Sequence, residues 1–275
     1  MRKHNFVDKH PVGASVLIGI GMFLLIQTIG AIPSSVFSVI TGNEAPLLNM
    51  LSMILATAIV MLIYRKRFAP EYKGVVRTEG LTKGLLMGLP IPVYWIIASI
   101  PTLFDGTFVV KPLTMQIISS AVVAGVTEEV AFRHGMITTM LRNRNQKQNL
   151  VKVILISSTS FGLIHMFNIA IGADPIRTIL QSVGAIGFGV FFGAIFVSTG
   201  NILPTMILHA VHDVFAIATS TDVSDIGIVT GSVGLSQIID LACMIALGVF
   251  ALIRYMPDDK KDEIVALWNR IWVRN

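Results

Sequence analysis

Among 275 residues the chain has one cysteine, Cys243. An intramolecular disulfide is therefore impossible, and so is a metal site built on paired cysteines. Cys243 lies in an apolar run near the C-terminus, where a thiol behaves as a small hydrophobe. Charge is scarce as well. Asp, Glu, Lys and Arg make up 13% of residues, against about 25% in an ordinary soluble domain. No linker, internal repeat or low-complexity stretch divides the sequence, so one domain over residues 1–275 is expected. Hydrocarbon takes the place of charge: 53% of residues are hydrophobic and the mean hydropathy is +0.74.

The apolar residues form long runs, each near the roughly 20 residues a helix needs to cross a bilayer. Hydropathy predicts about eight spans, roughly at 11–32, 47–64, 84–104, 113–140, 152–171, 178–198, 202–219 and 234–255. The fold class is thus an all-α polytopic membrane protein with about eight transmembrane helices. The first run is too long, and too lacking in a small-residue cleavage site, for a cleaved signal peptide. Pro90, Pro92 and Pro101 interrupt the third run and predict a kinked helix.

The cations sort by loop. Arg2, Lys3 and Lys9 precede the first span; Arg65, Lys66, Arg67, Lys73, Arg77 and Lys83 follow the second. Arg142, Arg144, Lys147 and Lys152 follow the fourth, and Arg254, Lys260, Lys261, Arg270 and Arg274 follow the last. The alternate loops carry Glu44, Asp105, Asp174, Asp222 and Asp225, with only Lys111 and Arg177 as cations. Lys and Arg mark the cytoplasmic side, which places both termini in the cytoplasm. The net charge of +5 is accounted for by topology and does not point to nucleic acid. After Pro257, residues Ile264, Leu267, Trp268, Ile271 and Trp272 fall at helical spacing. That pattern predicts an amphipathic cytoplasmic tail, about 257–275, lying in the membrane interface on its tryptophans.

Against this background the segment Glu128-Glu129-Val130-Ala131-Phe132-Arg133 stands out. Each such charge costs about 2.5–3.5 kcal/mol at membrane depth on insertion scales, so it persists where it pairs or faces a cavity. Glu129 and Arg133 are i,i+4 neighbours and predict an ion pair. Glu128 points about 100° away and is left to face whatever sits opposite. Later helices bring Phe161-x-x-x-His165 and His209-x-x-x-Asp213. Counted from the cytoplasmic ends, Glu128 and His165 lie roughly 20 Å deep, and His209 and Asp213 roughly 12–18 Å. Four groups suited to acid–base chemistry thus share one layer. Taken singly, His212 reads as a hydrogen-bonded core residue, His134 as a local hydrogen-bonding or capping residue, Asp240 as an interhelical partner, and Phe161 as packing.

The three motifs together, Glu128-Glu129-x-x-x-Arg133, Phe161-x-x-x-His165 and His209-x-x-x-Asp213, resemble those of the CAAX prenyl endopeptidase and bacteriocin-processing (CPBP, or Abi) intramembrane proteases. They cover roughly residues 120–220. The resemblance implies that Glu128 and His165 activate a water, and that His209 and Asp213 stabilise the oxyanion. Glu129 and Arg133 would be scaffold. Asp213 departs from the Asn usual in prenyl endopeptidases; an ionised carboxylate cannot donate to an oxyanion, so it must be protonated or must orient His209. The departure leans toward the broader prokaryotic branch and a cell-membrane location.

No cofactor is favoured. Glu128, His165 and His209 could form a zinc site of the two-His, one-Glu kind, but no His-Glu-x-x-His motif accompanies them. The expected partners are the bilayer and a membrane-associated peptide or protein substrate, with the active site opening toward the cytoplasmic side. Two other functions compete. A proton-coupled transporter would also bury carboxylates and histidines, but would show paired broken half-repeats. A non-catalytic immunity or membrane-assembly factor on the same fold would not need the full set of catalytic-type residues.

Overall fold

A computed structural model describes residues 6–74, 77–142, 149–220 and 222–272. Arg2, Lys3, Arg144, Lys147 and Arg274, used in the charge count, lie outside the described residues. The chain is an all-helical membrane protein. Among the described residues seven helices are long and apolar enough to span: α1 Pro11–Thr41, α2 Pro46–Arg67, α3 Leu81–Phe104, α4 Met115–Leu141, α5 Leu150–Ile171, α6 Pro175–Thr199 and α8 Leu235–Tyr255. Between the last two lies the shorter apolar α7, Leu203–Ala218. A final helix, α9, covers Lys261–Ile271.

Local chemistry sets the ends. Pro11, Pro46 and Pro175 open α1, α2 and α6, where a missing N–H costs nothing and a fixed φ favours the helix. Thr114 caps α4 by accepting from the Ile117 amide at 3.2 Å, and Asp174 caps α6 from the Arg177 amide at 2.8 Å. Gly200 closes α6 at φ 62, the left-handed conformation that glycine adopts without penalty.

Two helices differ from the sequence expectation, α1 and α4, while α3 carries the expected interruption at its prolines. α1 continues nine residues past position 32, to Thr41. Pro33 lies within it, and the apolar residues Val36, Phe37, Val39 and Ile40 beyond it remain exposed on its surface. α3 breaks into Leu81–Met87 and Pro90–Phe104. Pro90 and Pro92 account for the break, since proline excludes the preceding turn from regular helix; Pro101 sits inside the second piece without ending it. α4 changes winding: α-helix to Glu128, π-helix over Glu129–Ile137, then α-helix over Thr138–Leu141.

α6 is the central helix, packed against α5 and α8, while α4 packs against α7 and α2. Lipid is as apolar as leucine, so close backbone approach holds such helices together. Three glycines permit it. A Cβ on Gly162 would stand 2.5 Å from the Ser182 carbonyl, one on Gly248 2.5 Å from the Gly187 carbonyl, and one on Gly125 2.7 Å from the Ala210 amide nitrogen.

The tail does not rest its tryptophans in the interface. Trp268 and Trp272 are buried in protein. Trp268 donates its indole N–H to the Val197 carbonyl at 2.8 Å and packs on Phe196 and Tyr72. The Lys73 amide donates to the Ile271 carbonyl at 3.0 Å. The segment around Tyr72 supplies an aromatic surface at this end of the bundle, and burial against it competes successfully with the interface. His134 also differs from its expected capping role. It is fully buried, edge-on to Tyr64 and Tyr72, and neither ring nitrogen has a hydrogen-bond partner among the described residues.

Candidate active site

Two changes of helix type place the first two motifs. Glu128 and Glu129 straddle the α-to-π junction of α4, and His165 begins a 3-10 segment, His165–Ile171, that ends α5. π-bulges and short 3-10 stretches inside helices are strained windings that recur at functional sites. His209 and Asp213 project from α7, one turn apart.

His209 is the centre of the cluster. Its Nδ1 is 2.9 Å from Glu129 Oε1, its Nε2 is 3.7 Å from Glu128 Oε2, and the same Nε2 is 3.5 Å from Asp213 Oδ2. An ionised carboxylate only accepts, so Nδ1 carries the proton it shares with Glu129. The hydrogen bond at His209 Nδ1 thus comes from Glu129; orienting His209 was one of two roles the sequence left open for Asp213. Phe192 stacks on the same imidazole with ring centroids 5.3 Å apart.

Glu129 faces both ways. Its Oε2 lies 3.4 Å from Arg133 Nε, with both side chains fully buried. The expected i,i+4 pair is present, and the other carboxylate, Glu128, faces His209. Arg133 also lies over the Phe161 ring, 4.3 Å from its centroid, a cation–π contact. Phe161 in turn is edge-on to His165 and His209, at 5.1 and 5.8 Å. A residue expected as packing therefore touches members of all three motifs.

His165 lines the same cavity as Glu128, His209 and Asp213 and forms no hydrogen bond or ion pair with the carboxylates among the described residues. Its Nδ1 is 3.1 Å from the Phe161 carbonyl. A carbonyl can only accept, so Nδ1 holds the proton and Nε2 is the ring's acceptor.

Glu128, Phe161, His165, His209 and Asp213 all line one cavity of about 820 Å³. Residues not singled out by motif complete its wall. Tyr94 of α3 donates to Asp240 Oδ1 of α8 at 2.6 Å, so Asp240 is an interhelical partner as expected. Trp95 donates to His212 Nδ1 at 3.2 Å, and His212 stacks on Phe188 at 4.2 Å. His212 is a hydrogen-bonded wall residue. Phe192, Tyr94 and Trp95 carried no usable signal in sequence, because each sits in an ordinary apolar run.

The cavity reaches toward the end of the bundle that bears the acidic loops. Its lining extends from Glu128 to Thr107, Asn168, Thr219, Val223 and Gln237, at the ends of α3, α5, α7 and α8 that bear the acidic loops. At the basic end Tyr72, Trp268 and Trp272 are buried.

Among the described residues no group of three or more His, Cys, Asp or Glu side chains is placed to hold a metal ion.

Residues 110–215 match the family model described as Type II CAAX prenyl endopeptidase Rce1-like. The match takes in all three motifs. No curated protein and no solved structure matches the chain.

Proposed function

We propose, from the match of residues 110–215 to the Type II CAAX prenyl endopeptidase Rce1-like family model, that this chain is an intramembrane endopeptidase in which Glu128 activates a water. The observation that carries the proposal is the pair Glu128 Oε2 and His209 Nε2, 3.7 Å apart on the wall of a large cavity. That separation is too long for a direct hydrogen bond and is the kind a water bridges.

The reaction runs as follows. Glu128 takes one proton from the water, and His165 Nε2 accepts a hydrogen bond from the other. The water oxygen bonds to the scissile carbonyl carbon, and the carbonyl π-pair moves to its oxygen. His209, held at Nδ1 by Glu129 and carrying a proton at Nε2, donates to that oxyanion; such preorganised donors typically supply a large share of the rate. The C–N bond then breaks and Glu128 returns its proton to the leaving amine. Asp213 shares His209 Nε2 and supports its protonated form. Glu129 and Arg133 act through position and charge, not by touching substrate. No step is routed through a metal.

The substrate is a membrane-associated peptide or protein segment. Cleavage of a peptide library in detergent by wild type, but not by Glu128→Ala, tests the proposal. A transporter or a non-catalytic assembly factor cleaves nothing in either form.

A further inference from the structure

We propose that the site is served from the extracytoplasmic face, so that its substrates are segments that exported or membrane-anchored polypeptides present on that side. The substrate class rests on the peptidase reading above; the face of access does not.

Three observations carry it. First, the cavity runs from the middle of the bundle, at Glu128 and His209, to the end that carries the acidic loops. Its wall includes Asn49 near the start of α2, Thr102 near the end of α3, Gln116 near the start of α4, Asn168 near the end of α5, and Ser236 near the start of α8. Those termini all lie at the end carrying the acidic loops, and the lining includes loop residues such as Asp222 and Gly227.

Second, at the opposite end the described residues are packed together. Tyr72, Trp268 and Ile271 are at most 1% exposed there. Backbone and indole hydrogen bonds tie α9 to Lys73 and Val197. A lipidated C-terminus offered by a cytoplasmic protein would meet this packed surface.

Third, the charge count orients the bundle. Arg65, Lys66, Arg67, Arg142, Lys260 and Lys261 all fall at that opposite end, which the positive-inside rule assigns to the cytoplasm. At the end toward which the cavity reaches, the two cations are engaged by acids of the same face: Arg177 pairs with Asp222 at 3.1 Å, and Lys111 with Asp225 at 3.5 Å. The mouth therefore presents no free cationic surface of the kind that marks a cytoplasmic loop.

The test reads access without needing catalysis. In a Cys243→Ala background, Ser120→Cys and Gln116→Cys each place one thiol on the cavity wall, while Lys66→Cys marks the basic end. Intact cells are treated with a membrane-impermeant maleimide. Both cavity thiols should label, and Lys66→Cys should label only after permeabilisation. Two cavity positions guard against one variant failing to fold. Cavity labelling from the cytoplasmic side alone, in everted vesicles, overturns the proposal. A quenched peptide library is then added outside right-side-out and everted vesicles; Glu128-dependent cleavage is expected in the former only. Cleavage confined to everted vesicles also overturns it. Absence of cleavage in vesicles and in detergent removes the peptidase reading and with it the substrate class, while the labelling still decides the face.

Discussion

Glu129 holds two partners at once, His209 Nδ1 at 2.9 Å through one oxygen and Arg133 Nε at 3.4 Å through the other. It ties the first motif to the third and keeps a buried guanidinium compensated. Removing one member strands the opposite charge. Glu129→Ala and Arg133→Ala should each cost about 3–5 kcal/mol of stability. Thermal unfolding and folded yield in detergent report it, and near-wild-type values for both would show that the pair is dispensable.

Asp213 shares Nε2 with Glu128 but does not make the hydrogen bond that fixes the His209 tautomer. Asp213→Asn keeps an acceptor and adds a donor, so it should retain at least about a tenth of the wild-type rate, a loss of roughly 1.4 kcal/mol or less. Asp213→Ala should lose considerably more. Initial rates of both variants, with and without a chelator, decide the point. An inactive Asn variant together with a chelator-sensitive wild type would replace the metal-free mechanism.

Gly125 lies one helical turn before Glu128, where α4 meets α7. A Cβ there would stand 2.7 Å from the Ala210 amide nitrogen and 2.8 Å from the Met206 carbonyl. Backbone cannot swing aside as a side chain can, so Gly125→Ala must push α4 from α7 and widen the Glu128–His209 gap. The variant should insert in the membrane yet lose about 10²-fold in turnover, the cost expected of a displacement near 1 Å. Full activity would mean that the gap is not critical.

Much of this site was legible because the i,i+4 rule works at short range. The Glu129–Arg133 pair and the shared face of His209 and Asp213 follow from spacing alone. The π-segment was not legible, since its residues read as ordinary helix and tertiary packing selects the winding. Nor was the end toward which the cavity reaches: Glu128 sits midway between Met115 and Leu141, so depth is the same counted from either side. The tail misled for a related reason. An amphipathic stripe specifies that an apolar face is buried, but not whether lipid or protein covers it.

That cover is testable at Trp268, which is fully buried and hydrogen-bonded to Val197. Trp268→Ala should destabilise the protein by about 3–5 kcal/mol. Thermal unfolding in detergent checks this. An unchanged midpoint would return α9 to the membrane interface.

The central claim concerns the base, and the rate of Glu128→Gln tests it most directly. Glutamine preserves shape and removes the proton acceptor, so cleavage should fall at least about 10²–10⁴-fold while the unfolding temperature stays near that of the wild type. Near-normal cleavage by a folded Glu128→Gln protein would contradict the account.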